Sequence, residues 1–133
     1  MVYEHLSSLS SVTALVSGRI YPNFLPQGSA NPAIVYQIVS DPGLHTLDGA
    51  VGTIHPRVQI SCFAESYDIA QALGEAVRLG TQGFAGTMGS EEVMGALLLD
   101  RREFYHDDFK RSDASGQGLF RVDLDFEIWR KAV

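Results

Sequence analysis

The sequence predicts an α+β fold: a four-stranded, mainly antiparallel sheet with two helices packed on one face, in the order α-β-β-α-β-β. Three observations lead there. Residues 119–130 alternate side by side, with Phe120, Val122, Leu124, Phe126 and Ile128 pointing one way and Arg121, Asp123, Asp125, Glu127 and Trp129 the other. Residues 33–40 are a β-branched and aromatic run closed by the turn Asp41-Pro42-Gly43. Residues 2–16 and 67–80 carry apolar side chains at three- and four-residue spacing. Elements that are apolar on one side bury that side by stacking in layers.

The first element is an amphipathic helix over 2–16, with Leu6, Leu9, Val12, Leu15 and Val16 on its apolar face and Gly18 as its stop. A helix of this length is marginal alone in water and needs a docking surface. Gly18-Arg19-Ile20-Tyr21-Pro22 links it to a loop running from Pro22 to Pro32, which holds three prolines. The strand 33–40 follows. Residues 44–52, with Asp48-Gly49 and Gly52, read as a turn or an extended flexible loop. The second strand spans 54–64, where Arg57, Gln59 and Ser61 alternate with Val58, Ile60 and Cys62, and Pro56 belongs at its start or on an edge.

Ser66 can cap the second helix, 67–80, whose apolar face holds Ile69, Ala70, Leu73, Ala76 and Val77. The glycine-rich run from Gln82 to Ser90 reads as a loop. Residues 92–104 form a third strand ending in the charged stretch Asp100-Arg101-Arg102-Glu103, and 106–118 are polar and mobile by composition. The alternating strand 119–130 closes the chain and anchors the core. Its outward residues put polar side chains on the sheet face away from the helices.

A chain of 133 residues is expected to form one domain over 1–133, with a core that needs no staples. Its net charge of −6 argues against a protein that neutralises nucleic-acid phosphates over a broad surface. The single cysteine, Cys62, cannot make an internal disulfide and suits a small buried position. Neither a secretory leader pattern nor an apolar run of about 18 residues is visible, so no membrane partner is expected and synthesis in the cytoplasm is the default.

Little in the chain carries chemistry. Gly83-Phe84-Ala85-Gly86-Thr87-Met88-Gly89 lacks the Lys-Ser/Thr ending of a phosphate-binding loop. His5, His45, His55 and His106 have no partner at metal-ligand spacing, and the adjacent carboxylates of His106-Asp107-Asp108 point apart in extended backbone. Asp123, Asp125 and Glu127 share one strand face at about 7 Å intervals, a separation met in paired-carboxylate glycosidases. No pocket or sugar platform accompanies them, so a solvated face balanced by cross-strand Arg57 or Arg102 is the better reading. Trp129 lies on the same face and marks either an interface or a site covered by a loop of its own chain. No catalytic residue, cofactor site or metal site is assigned.

The order of these segments has a counterpart. An N-terminal helix, Gly-Arg-Ile-Tyr-Pro at 18–22, a loop with Pro26 and Asn-Pro-Ala-Ile-Val-Tyr at 31–36 come first. Arg57-Val58-Gln59-Ile60-Ser61-Cys62-Phe63-Ala64, a helix with Tyr67, Ala70 and Ala76-Val77, and Arg121-Val122-Asp123-Leu124-Asp125-Phe126-Glu127-Ile128 complete the pattern. Over nearly its whole length the chain resembles the tail-completion, or tail-terminator, family of long-tailed bacteriophages and prophages.

That resemblance implies a non-enzymatic structural subunit of a virion tail, forming a homo-oligomeric, hexameric ring at the head-proximal end. The ring caps the finished tube, stops polymerisation of the major tail tube protein and meets a head-tail connector protein, while DNA passes through the lumen without specific binding. Acidic character suits such a channel, because carboxylates repel phosphates. Arg19, Tyr21, Asp123, Asp125, Glu127 and Trp129 are the residues expected at a subunit or lumen surface. Two other classes fit the same chain: a head-completion or neck morphogenesis protein, and a small intracellular α+β ligand-binding domain or enzyme.

Overall fold

The computed structural model describes residues 2–26, 32–40, 45–46, 49–50, 53–106 and 118–131. Three helices are present among them: α1 (Val2–Ser8), α2 (Ser10–Val16) and α3 (Tyr67–Thr81). The strands are β1 (Ile20–Pro22), β2 (Ala33–Ser40), β3 (His45–Thr46), β4 (Gly49–Ala50), β5 (Thr53–Ile54), β6 (Arg57–Ala64), β7 (Gly86–Met88), β8 (Glu91–His106) and β9 (Leu119–Lys131). The α+β class matches the expectation, but the sheet is larger than four strands and the helices number three. Most of the polar stretch 106–118, and the turn 41–43, lie outside the described residues.

The main sheet has seven strands in the order β1-β2-β6-β9-β8-β7, with β5 also paired to β9; β3 and β4 form a separate two-stranded ladder. Among the described residues only β1 and β2 run parallel, and every other pair is antiparallel. β5 and β6 lie end to end along one side of β9. His55-Pro56 separates them, and there the Ile128 amide donates to the Pro56 carbonyl at 3.0 Å. Pro56 has no N–H to return the reciprocal bond, so the ladder is interrupted at this point between β5 and β6.

Two strands of the main sheet are not expected from the sequence, and β3 and β4 fall in the stretch 44–52 that reads as a turn or loop. Ile20–Pro22 reads as a connector but adds as an edge strand, because Ile20 is buried and its partner Ile34 belongs to the core. Gly86–Met88 lies inside a glycine-rich run but pairs with β8, its Met88 side chain buried at 1% exposure. Gly89, at φ +61°, makes the two-residue turn between them, a backbone position where a side chain is disfavoured.

The helices cover one face. Val58, Ile60 and Cys62 of β6, Val122, Leu124, Phe126 and Ile128 of β9, and Ala96 of β8 meet Leu6, Val12, Val16, Ala70, Leu73 and Val77. The alternation in β9 is therefore the core pattern, each large buried side chain contributing about 1.5–3 kcal/mol. Cys62 is fully buried in this layer, and burial raises its thiol pKa far above the ordinary range.

The predicted helix 2–16 breaks at Leu9, whose extended backbone (φ −85°, ψ 109°) separates α1 from α2. The Ser8 hydroxyl donates to the His5 carbonyl at 2.6 Å, satisfying an acceptor at the end of α1. The break lets the Leu9 side chain settle on Gly80 of α3, where a Cβ would lie 2.6 Å from Leu9 Cδ1. The stop is one residue earlier than Gly18 alone suggests: Ser17 and Gly18 are both left-handed, at φ 52° and 84°. In α3 the predicted face is right at Ala70, Leu73 and Val77, whereas Ile69 is 41% exposed and Gly74 and Thr81 are buried instead. Gly74 allows the close approach of Val122 of β9, whose Cγ1 would lie 3.0 Å from an added Cβ.

His5 joins α1 to the end of α3. Its Nε2–H donates to the Gly80 carbonyl at 3.0 Å, Thr81 Oγ1 lies 3.2 Å away, and the ring meets Phe84 edge-on at 4.5 Å. Burial lowers its pKa from the usual 6.5, outweighing the opposite pull of the Gly80 carbonyl. The unfolded chain then binds the proton more readily than the folded one, so stability rises with pH across the interval below about 6.5. Melting temperature should fall on acidification from about pH 7.5 to 5, and fall less in His5→Gln. Equal slopes in the two proteins would rule out this role.

Candidate assembly surface

The sheet face away from the helices is built on the same β9 alternation. The registers align its residues in rows. Tyr21, Val35, Ser61, Asp123 and Arg102 form one row across β1, β2, β6, β9 and β8. Gln37, Gln59, Asp125 and Asp100 form the next. Five of the six residues expected at a surface, Tyr21, Asp123, Asp125, Glu127 and Trp129, therefore share this one face.

The carboxylates there are each engaged by their own chain. Arg102 grips Asp125 with two bonds of 2.8 and 3.1 Å and also holds Asp100 at 2.7 Å. Donating to Asp125 and Asp100 raises the Arg102 pKa and keeps the guanidinium charged, and Arg102 in turn lowers the Asp100 pKa. The Trp129 Nε1–H donates to Glu127 at 2.9 Å, while His55 stacks on the Trp129 ring at 4.5 Å and its Nδ1 lies 3.6 Å from Glu127. Trp129 is thus half-covered by a residue of its own chain.

Asp123 is the exception in burial, with 2% exposure. Its Oδ2 accepts from Gln59 Nε2 at 3.3 Å. Its Oδ1 lies 3.0 Å from Arg121 Nε, an ionic contact whose angle misses hydrogen-bond alignment. Arg121 is drawn instead over the Phe104 ring, 4.3 Å from its centroid. A small apolar cluster of Val35, Phe63 and Leu119, with Leu25 against it, closes this end of the face. The surface is consequently half-buried and cross-linked by charge, rather than the solvated face that alternation suggests.

Arg19, the sixth expected residue, lies apart from this face. Its Nε–H donates to the Pro32 carbonyl at 2.9 Å, and its own carbonyl accepts from Ile34 at 2.9 Å, so it ties the α2 exit to the start of β2. Of the two balancing charges that the sequence offers, Arg57 and Arg102, it is Arg102 that bonds the acids, and nothing in the sequence points to Gln59 or His55 beside them. The signal for Arg102 existed in Arg101-Arg102: adjacent strand residues diverge, so one must serve each face. Arg101 does reach the helix side, to Gln71 at 2.7 Å and Glu75 at 3.1 Å. Glu75, bonded chiefly by Arg78 and also by Arg101, has its pKa lowered to about 2.

Among the described residues no group of three metal-type side chains converges, and no helix is long and apolar enough to cross a membrane. A cleft of about 230 Å³ opens between α3 and β8–β9, with Tyr67, Gln71, Tyr105, Phe120 and the single carboxylate Glu103 on its walls. That is smaller than the range of about 300–1,000 Å³ typical of small-molecule sites.

The family model described as tail completion protein gp17 matches residues 1–131. The chain belongs to this family. Among solved structures, one similar chain is from the virion of a native gene transfer agent particle. It shares 19% identity with a TM-score of 0.73, over 98% of this chain and 92% of that one, which establishes a common fold. The search of curated proteins gave no match. As a tail completion family member, the chain is a structural component of the virion tail.

The charged face of this tail completion protein makes a stability prediction. Replacing Arg121 by Met leaves the buried Asp123 carboxylate with Gln59 alone and should cost about 3 kcal/mol, as breaking a buried pair does. Adding Asp123→Asn to Arg121→Met should recover most of that loss. Chemical denaturation of both variants measures it, and a double variant no more stable than Arg121→Met would refute the pairing.

Proposed function

We propose that this chain forms a closed ring, hexameric in its simplest form, that caps the completed tail tube. In that position it stops addition of further tube protein and presents the surface on which the head-tail connector docks. The observation that supports this reading is the family match across 1–131. The physical features agree with it.

The sheet face described above is rich in carboxylates that are already braced by Arg102, Arg121 and Trp129. A face of that kind holds its shape without a ligand and can turn toward a neighbour or a lumen. With a net charge of −6, a ring of such subunits repels DNA phosphates and lets the genome pass without adhering. Asp125 and Glu127 are assigned to the lumen or subunit surface in this reading, with Tyr21 and Trp129 on the same face, while Asp123, expected there from the sequence, is buried beneath it and braces the face from within. Arg19 positions the segment beside them. The role is structural, and no residue is given a catalytic part.

Electron microscopy of particles made without this protein tests the assignment. Overlong tails without heads are the expected result. Normal-length tails that still lack heads would instead make it a neck factor, and normal particles would dismiss both roles.

A further inference from the structure

Two stretches of sheet edge have no strand beside them among the described residues. On one side, β1 covers β2 only as far as Tyr36, whose carbonyl also accepts from Asn23 at 2.9 Å. The outer edge of Gln37–Ser40 is left open. On the other side, β7 covers β8 only from Glu91 to Val93, and the Gly83 amide donates to the Ala96 carbonyl at 2.7 Å. The edge of β8 is open from Leu97 onward.

Natural proteins blunt open edges with proline, charge or very short strands. The covering strands here are blunted in that way: β1 and β7 have three residues each, and β1 ends in Pro22. The uncovered stretches are not. Gln37-Ile38-Val39-Ser40 and Leu97-Leu98-Leu99 carry no charge, and they expose Ile38 by 52%, Val39 by 45%, Leu97 by 52% and Leu99 by 44%.

The registers place both stretches at the same height of the sheet. Ile38, Val58, Phe126 and Leu98 lie in one row, and Gln37, Gln59, Asp125 and Asp100 in the next. Both strands are irregular at this level, between Ile38 and Ser40 and between Leu98 and Asp100, so that Val39 and Leu99 are the extra residues. Three antiparallel steps separate β2 from β8, so the two run in opposite directions. A second copy rotated about an axis along the strands keeps the direction of its own β2. It therefore meets β8 antiparallel, with no shift along the strands. A contact made by rotation without rise closes a ring, whereas one with rise builds a filament.

We infer that Gln37–Ser40 of one copy adds as an antiparallel strand to Leu97–Asp100 of the next, so that the sheet continues from subunit to subunit. Ile38, Val39, Leu97 and Leu99 are buried in that seam. The occupant is a second copy of this chain, because height, direction and apolar character match between the two edges of one molecule. This inference rests on the ring reading above and names the contact that closes the ring.

Disulfide trapping tests it in the purified full chain. Val39→Cys combined with Leu99→Cys, and Val39→Cys combined with Leu97→Cys, allow for a slip of register between the irregular strands. Cys62 is buried and stays out of the reaction. On mild oxidation at least one double variant should give a ladder of covalent multimers, while each single variant stops at dimer or below. A wild type that is multimeric by light scattering, with no ladder from either double variant, would overturn the edge pairing and leave the ring standing. A wild type that stays monomeric, both free and on isolated tails, would remove the ring and the seam together.

Discussion

Everything in this molecule is organised by the double duty of β9. The strand lies between β6 and β8 with ladder partners along both sides, so its backbone polar groups are satisfied within the sheet. Its two rows of side chains then face opposite demands. One row, from Val122 to Ile128, is sealed beneath the helices. The other, from Arg121 to Trp129, holds charge on the open face. A slip of one residue would exchange the rows, burying three carboxylates and exposing four large apolar groups, so the register is strongly fixed.

That constraint propagates outward. Because β9 sets the rows, β6 places Gln59 and Ser61 beside Asp125 and Asp123, and β8 sets Arg102 opposite Asp123, from where its guanidinium reaches Asp125. The charges are offset within the chain before any neighbour arrives. Mutual bracing of this kind costs desolvation at Asp123 but keeps the face rigid. On the other side of the sheet, Arg101 fastens α3 to β8 through Gln71 and Glu75. Two consecutive arginines therefore anchor the two layers, one each.

The asymmetry between covered and uncovered edges gives the fold its assembly character. A sheet this size could have been closed by longer edge strands. Instead β1 and β7 stop after three residues and, among the described residues, leave edge stretches with exposed apolar side chains at one common level. In a solitary protein such edges invite aggregation. In the proposed ring the β2 edge of one copy pairs with the β8 edge of the next, so that closure leaves neither edge free.

The sequence alone determined what depends on local period and on order along the chain. It contained the core face of β9, the strand at 33–40, the strand read over 54–64 that the structure divides at His55-Pro56, the helix α3 and the burial of Cys62, because alternation and helical spacing are short-range signals. It also carried enough ordered motifs to indicate the family. What it did not contain was anything set by contact between distant segments. The break at Leu9 depends on Gly80, the strand at Ile20 on Ile34, and the strand at Gly86–Met88 on the long β8 beside it. Likewise, Asp123, Asp125 and Glu127 were visible as an acidic row, but Gln59 and Arg102 are joined to it only by the sheet register, whereas Arg121 and Trp129 lie two residues from their partners on the same strand. Pairing across a sheet costs no local signature, so only the tertiary structure could decide which charges meet and which edges stay open.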